Sequence, residues 1–132
     1  MYGTSTATVR SIAQCPSVCT CWGTVIVLPF NESAFDMIEK HAHELAGVAI
    51  EPVLGGGMLT VDKAFLQKLR DVTRKTGVLL HFDEVITGFR LALGGCQELT
   101  GMLSDIATYG KIIGGGLPIG ALACSKEMMA VA

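Results

Sequence analysis

The sequence predicts an α/β protein, a mostly parallel sheet flanked by helices, and two observations carry that prediction. Short apolar runs at 24–28, 48–51 and 78–82 alternate with two stretches of helical periodicity, and the links between them are a few residues long. Half of the 132 residues are apolar, enough for one domain with a core and not for two. Strand, helix, strand, helix, strand with short links implies right-handed crossovers and parallel pairing.

Each element has its own grounds. Residues 1–23 mix Thr, Ser, Cys and Ala without a period and receive no element. The run TVIVL at 24–28 ends on Pro29 and reads as a buried strand. Asn31 and Ser33 offer N-caps, Glu32 and Asp36 suit a first turn, and Phe35, Ile38, Ala42 and Leu45 recur at helical spacing up to Gly47. After a strand at 48–51, the stretch 52–60 with Gly55, Gly56 and Gly57 reads as loop. Asp62 then caps a helix with Phe65, Leu66, Leu69 and Val72 on one face, closed by Gly77. The third strand, VLLHF at 78–82, runs straight into Asp83 and Glu84. Residues 106–109 and 119–124 read as two more short strands, before a helix starting near Ser125.

Composition narrows the function classes. Ten basic against twelve acidic side chains give a formal charge of -2, which suggests neither a nucleic-acid footprint nor a polybasic membrane patch and suits a small-molecule substrate. The five cysteines, Cys15, Cys19 and Cys21 together and Cys96 and Cys124 alone, form no natural disulfide framework and lack zinc spacing. Free thiols in a reducing cytosol, no metal and a cytoplasmic location are therefore expected. No signal-peptide or membrane-span pattern is seen, since the apolar runs are short and broken by Gly, Pro and charge.

Two segments could carry chemistry, 81–90 (HFDEVITGFR) and 109–120 (YGKIIGGGLPIG), and both follow strands. Lys111 sits among apolar residues and glycines, a setting that desolvates an ammonium and frees the amine to attack a carbonyl. On that segment alone, a lysine snorkelling from a loop is the simpler reading. Asp83 ends an apolar strand, where open parallel sheets bind ligands, yet position alone leaves a turn-capping role equally open. Glu84 points to the other face if the strand geometry persists, and His81 shares the face of Asp83. The glycine run at 114–116 follows Lys111 instead of preceding it, and no phosphate-loop or dinucleotide fingerprint is present. His41 and His43 belong to a solvated helix face, and no hydrolase motif accompanies any histidine.

Together these segments resemble the class III aminotransferase family, whose pattern is an apolar strand into D-E-V-x-T-G-F, then G-K before a glycine run and L-P-x-G. Residues 83–89 and 110–120 match it in register, as do AIEPV at 49–53 and LPFN at 28–31. The wording GFRLALGGCQE at 88–98 is most similar to the glutamate-1-semialdehyde aminomutase branch, and Ile86 stands where many transaminases of the class have Gln. DIATYGK at 105–111 also resembles aminotransferase modules embedded in synthetases.

The resemblance implies a fold-type I enzyme that binds pyridoxal 5′-phosphate. Lys111 would form the imine with the cofactor and shuttle protons, Asp83 would hydrogen-bond its pyridine nitrogen, and Val85 would pack against the ring. Residues 24–132 would be part of the large cofactor-binding domain, truncated at both ends, with 1–23 an unassigned segment. The family's chains are much longer and homodimeric. The parts that build the phosphate cup and the aromatic stack are missing here, 1–22 do not resemble the family, and Ser104 stands where a Pro is usual. The chain alone is thus expected to bind the cofactor weakly and to be nearly inactive. Its rivals are an ordinary transaminase of an amine or ω-amino acid, and a non-catalytic α/β fragment.

Overall fold

The computed structural model describes residues 6–10, 25–57 and 59–131. Strand β1 (Thr6–Arg10) pairs antiparallel with β2 (Val25–Pro29), which leads into α1 (Ser33–His41). Then come β3 (Gly47–Ile50), a small hairpin of β4 (Val53–Leu54) and β5 (Leu59–Thr60), and α2 (Lys63–Thr76). Strand β6 (Leu79–Asp83), helix α3 (Gly95–Thr100), β7 (Ile106–Tyr109), a 3₁₀ turn (Lys111–Gly114), β8 (Ala121–Cys124) and α4 (Lys126–Met129) complete the chain.

The main sheet has the order β3-β6-β7-β8, with β3, β6 and β7 parallel and β8 antiparallel to β7. One of its faces is sealed. Val48, Ile50, Leu80 and Phe82 pack with Phe35 and Ile38 of α1 and Leu66 and Leu69 of α2, and Leu80, Phe82 and Ile38 are fully buried. Each such side chain contributes about 1.5–3 kcal/mol relative to exposure. The two helices face the sheet because their apolar residues recur at helical spacing. Asp62 caps α2 by accepting from Ala64 N at 2.7 Å, and Gly77, at φ 75, ends it in the left-handed region. The α/β class read from the periodicity is the class observed.

Four local expectations need correction. The segment 1–23 holds a strand, Thr6–Arg10, whose β-branched residues lack the alternation that would have marked it. The stretch 52–60 is a two-stranded hairpin, not plain loop. Helix α3 was not foreseen, because six residues show no helical period. In α1 the cap is no side chain: Asn31 Oδ1 instead accepts from Ser33 N at 2.9 Å in a turn before the helix.

The N-terminal ends of β6 and β7 are tied to α2 by one buried pair. Arg70, 4% exposed, donates from Nη1 to Asp105 Oδ2 at 2.9 Å, and the same oxygen accepts from Leu80 N at 2.7 Å. No helix among the described residues is long and apolar enough to cross a membrane.

Candidate active site

Parallel pairing puts the C-terminal ends of β3, β6 and β7 at one edge of the sheet, so the loops that follow them meet there. The meeting is close. Ile86, in the loop after β6, fills the space beside Gly55 in the turn of the β4–β5 hairpin that follows β3, where a Cβ would lie 2.0 Å from Ile86 Cδ1. Val85 packs its methyl groups against Gly110, 3.4 Å from the Cβ position there, immediately before Lys111.

Asp83 is the last residue of β6 and stands opposite Thr108 of β7. Strand alternation places His81, Asp83 and Thr108 on the half-buried face of the sheet, opposite the sealed core. His81 Nε2 and Thr108 Oγ1 are hydrogen-bonded at 2.9 Å. Burial pushes the His81 imidazole below its ordinary value, and the charge of Asp83 opposes that shift. Asp83 Oδ1 accepts from Val85 N at 3.0 Å, and its other oxygen has no partner among the described residues.

Lys111 follows β7 by two residues and opens the 3₁₀ turn at φ 50, a left-handed conformation rare outside glycine. The sequence left two settings open for Lys111, a desolvated ammonium and, as the simpler reading, a lysine snorkelling from a loop. In the structure Lys111 is exposed, because the glycines and apolar side chains around it, Ile112 and Leu117 among them, are themselves open to solvent. The structure thus brings Asp83, Val85 and Lys111 to adjoining strand ends without burying the lysine.

Glu84 was read only as facing away from Asp83, and the structure gives it much more. It is fully buried, and its carboxylate accepts from Thr87 Oγ1, from Cys96 N at 2.9 Å and from Gln97 N at 3.1 Å. The burial of Cys96 and Tyr109, with Glu84's negative charge nearby, pushes the pKa of both the thiol and the phenol up. Alternation beside the buried Phe82 was the signal that could have marked a buried carboxylate. A cleft of about 360 Å³ lined by Gln97, Ser104, Ala107, Tyr109 and Ala123 lies on the face opposite Asp83, away from where Asp83, Val85 and Lys111 meet. The cluster Cys15, Cys19 and Cys21 falls outside the described residues.

An α/β sheet with a carboxylate and a lysine at the carboxyl ends of neighbouring parallel strands defines a ligand-handling protein of the kind that binds at a strand edge. Residues 26–132 match the Aminotransferase class-III family, and the chain belongs to that family. Over 107 residues it is 51% identical to a glutamate-1-semialdehyde 2,1-aminomutase of Sulfurihydrogenibium azorense and 49% identical to that of Thermomicrobium roseum, covering 79% of this chain and 25% of each relative. An omega-transaminase from Sphaerobacter thermophilus superposes with a TM-score of 0.72 at 43% identity, over 78% of this chain and 24% of that one. A transaminase with PLP bound gives 0.73 at 37% identity, over 80% and 25%. The chain spans about a quarter of the length of the curated relatives it matches.

Proposed function

We propose that this chain is part of the large domain of an enzyme that moves amino groups with pyridoxal 5′-phosphate, residues 24–132 carrying the cofactor's lysine and carboxylate. The observation that supports this best is the placement of Asp83, Val85 and Lys111 at adjoining strand ends. The residues fit the group. Asp83 has an oxygen free to accept from the protonated ring nitrogen, Val85 offers an apolar surface, and the Lys111 amine is accessible to an aldehyde. When bound, the cofactor supplies an electron sink for bond breaking at the amino-bearing carbon. Asp83 would keep the ring nitrogen charged, Val85 would hold the ring plane, and Lys111 would hold the cofactor and later move a proton at its Nζ.

Glutamate-1-semialdehyde aminomutation, leading to 5-aminolevulinate, is the favoured activity of the complete protein. It is supported by the aminomutases at about half identity and by Ile86 after D-E-V. A transaminase of an amine or ω-amino acid is the second reading, supported by the transaminases among the solved relatives. The complete enzyme would be a cytoplasmic homodimer acting on a small amino or aldehyde substrate. The 132-residue chain by itself would bind the cofactor weakly and turn over little or nothing.

Adding pyridoxal phosphate to the purified chain, reducing with borohydride and mapping the pyridoxyl group by mass spectrometry tests this reading. A single adduct at Lys111, lost in Lys111→Ala, is expected. Labelling spread over surface lysines, or none, would refute it and favour a non-catalytic fragment.

A further inference from the structure

Glu84 holds no place in the chemistry just described, yet it is the most completely tied carboxylate among the described residues. Its Oε2 accepts from Cys96 N and Thr87 Oγ1, and its Oε1 from Gln97 N. Its backbone is held as well, the N–H donating to Thr108 O at 2.9 Å and the carbonyl accepting from Gly88 N at 2.8 Å. Gly95, at φ 64, leaves the room this requires, since a Cβ there would lie 2.4 Å from Glu84 Oε2. Gln97 carries the tie back to β7, its Nε2 donating to Tyr109 Oη at 3.3 Å.

A buried ionised carboxylate is a poor way to gain stability alone, because an apolar side chain of similar size avoids the desolvation cost. What such a group can do is define one geometry, since its donors must all be met at once. Residue 84 follows β6 directly, so any rotation of its backbone turns Asp83 and Val85, its neighbours on the other face, in the same motion.

We infer that Glu84 is a positioning residue, whose buried carboxylate clamps Thr87, Cys96 and Gln97 and so aims Asp83 at the cofactor's ring nitrogen. This rests on the cofactor reading above. Glu84 touches neither cofactor nor substrate, and its effect passes through Asp83.

The test compares two ligands on the 132-residue chain: pyridoxal phosphate, and an analogue in which CH replaces the ring nitrogen. Both carry the same aldehyde for Lys111 and the same phosphate, and only the first can use Asp83. Each is titrated by absorbance against wild type, Glu84→Gln and Thr87→Val, with circular dichroism as the measure of folding. The affinity for pyridoxal phosphate should fall about ten-fold in Glu84→Gln and about three-fold in Thr87→Val, a share of one charge-assisted hydrogen bond. The affinity for the analogue should change less than about two-fold, because nothing it uses depends on Asp83. If Glu84→Gln does not fold, Thr87→Val, which removes one donor and keeps the shape, carries the comparison.

Equal losses for both ligands would mean that Glu84 only stabilises the fold, and no loss for either would mean that the clamp is irrelevant to Asp83. Either result overturns the inference while leaving the cofactor reading intact. Wild type binding neither ligand at Lys111 would instead remove the cofactor reading, and the positioning role with it.

Discussion

Replacing Asp105 by alanine takes away the one acceptor that serves both Arg70 of α2 and the first turn of pairing between β6 and β7. The Arg70 side chain is 5% exposed, and its Nη1 would keep only the Leu103 carbonyl at 3.4 Å. Leaving a buried cation half-paired costs about 2–3 kcal/mol. The Leu80 N–H, now 2.7 Å from Asp105 Oδ2, would lose its acceptor, adding about 1 kcal/mol. Asp105 is 32% exposed, so water entering the vacated space recovers part of both terms. The net is about 3 kcal/mol, and at a urea slope of about 2 kcal/mol per molar the midpoint falls by about 1.5 M. Urea unfolding of wild type, Asp105→Ala, Arg70→Met and the double variant measures it. In the double variant no buried cation is stranded, so it should be more stable than the summed single losses predict, by about 1–2 kcal/mol. A midpoint shift under about 0.3 M in Asp105→Ala, or strict additivity in the cycle, would refute the buried-pair argument.

Four further changes have expected outcomes. Gly101→Ala, at φ 69 with open space around it, should cost about 1 kcal/mol in thermal unfolding. Gly95→Ala, at φ 64 and against Glu84, should cost about 3 kcal/mol by the same measurement, and equal losses would show that the Glu84 contact is soft. Asp62→Ala should cost about 1 kcal/mol and lower the helical signal of α2, since the cap bond to Ala64 N is lost. Burial holds folded His81 below its ordinary value of 6.5, so the unfolded chain takes up that proton first as pH falls. The stability this gives is complete above the unfolded value and is lost as pH drops through it toward the folded one. His81→Leu should therefore flatten the dependence of the urea midpoint on pH between about 7 and about 5, and an unchanged slope would count against the burial of His81.

How much of this could be read beforehand depended on how local the cause was. Strands and long helices announce themselves through apolar periodicity, which is why β3, β6, β7 and α2 fell within a residue or two of their expected bounds. Helix α3 is too short to show a period, and its start is held by Glu84, a residue distant in sequence from Gln97, so no local pattern could place it. The antiparallel turn of β8 and the hairpin at 53–60 likewise follow from pairing partners and not from their own residues. At the site, a charged residue after an apolar strand makes Asp83 and Lys111 conspicuous, but position alone left each with a structural reading, and their roles are implied only by the family resemblance. The exposure of Lys111 agrees with the snorkelling reading but was not fixed by it, since burial depends on what other segments cover the residue. The role of Glu84 was half legible: alternation gives the direction of the side chain, but its donors come from a loop and a helix that the sequence does not locate.

The division of work between Asp83 and Glu84 rests on register. Two adjacent carboxylates leave one strand, and the pleat sends them to opposite faces, one toward solvent and the proposed cofactor, one into the interior. A slip of one residue between β6 and β7 would exchange them, placing the Asp83 carboxylate before the amides of Cys96 and Gln97 with a side chain one carbon too short to reach all three donors. The same slip would turn Leu80 and Phe82, both fully buried, to the open face at a cost of about 2–3 kcal/mol each. The core therefore selects which of the two acids is available for chemistry. Asp105 supports that choice from the other end of the strand, since its carboxylate accepts from Leu80 N while its own N–H donates to Leu80 O at 2.8 Å, which a shifted register would break. The site and the core are thus one alignment of β6 against β7, fixed at one end by Asp105 and Arg70 and at the other by the clamp of Glu84.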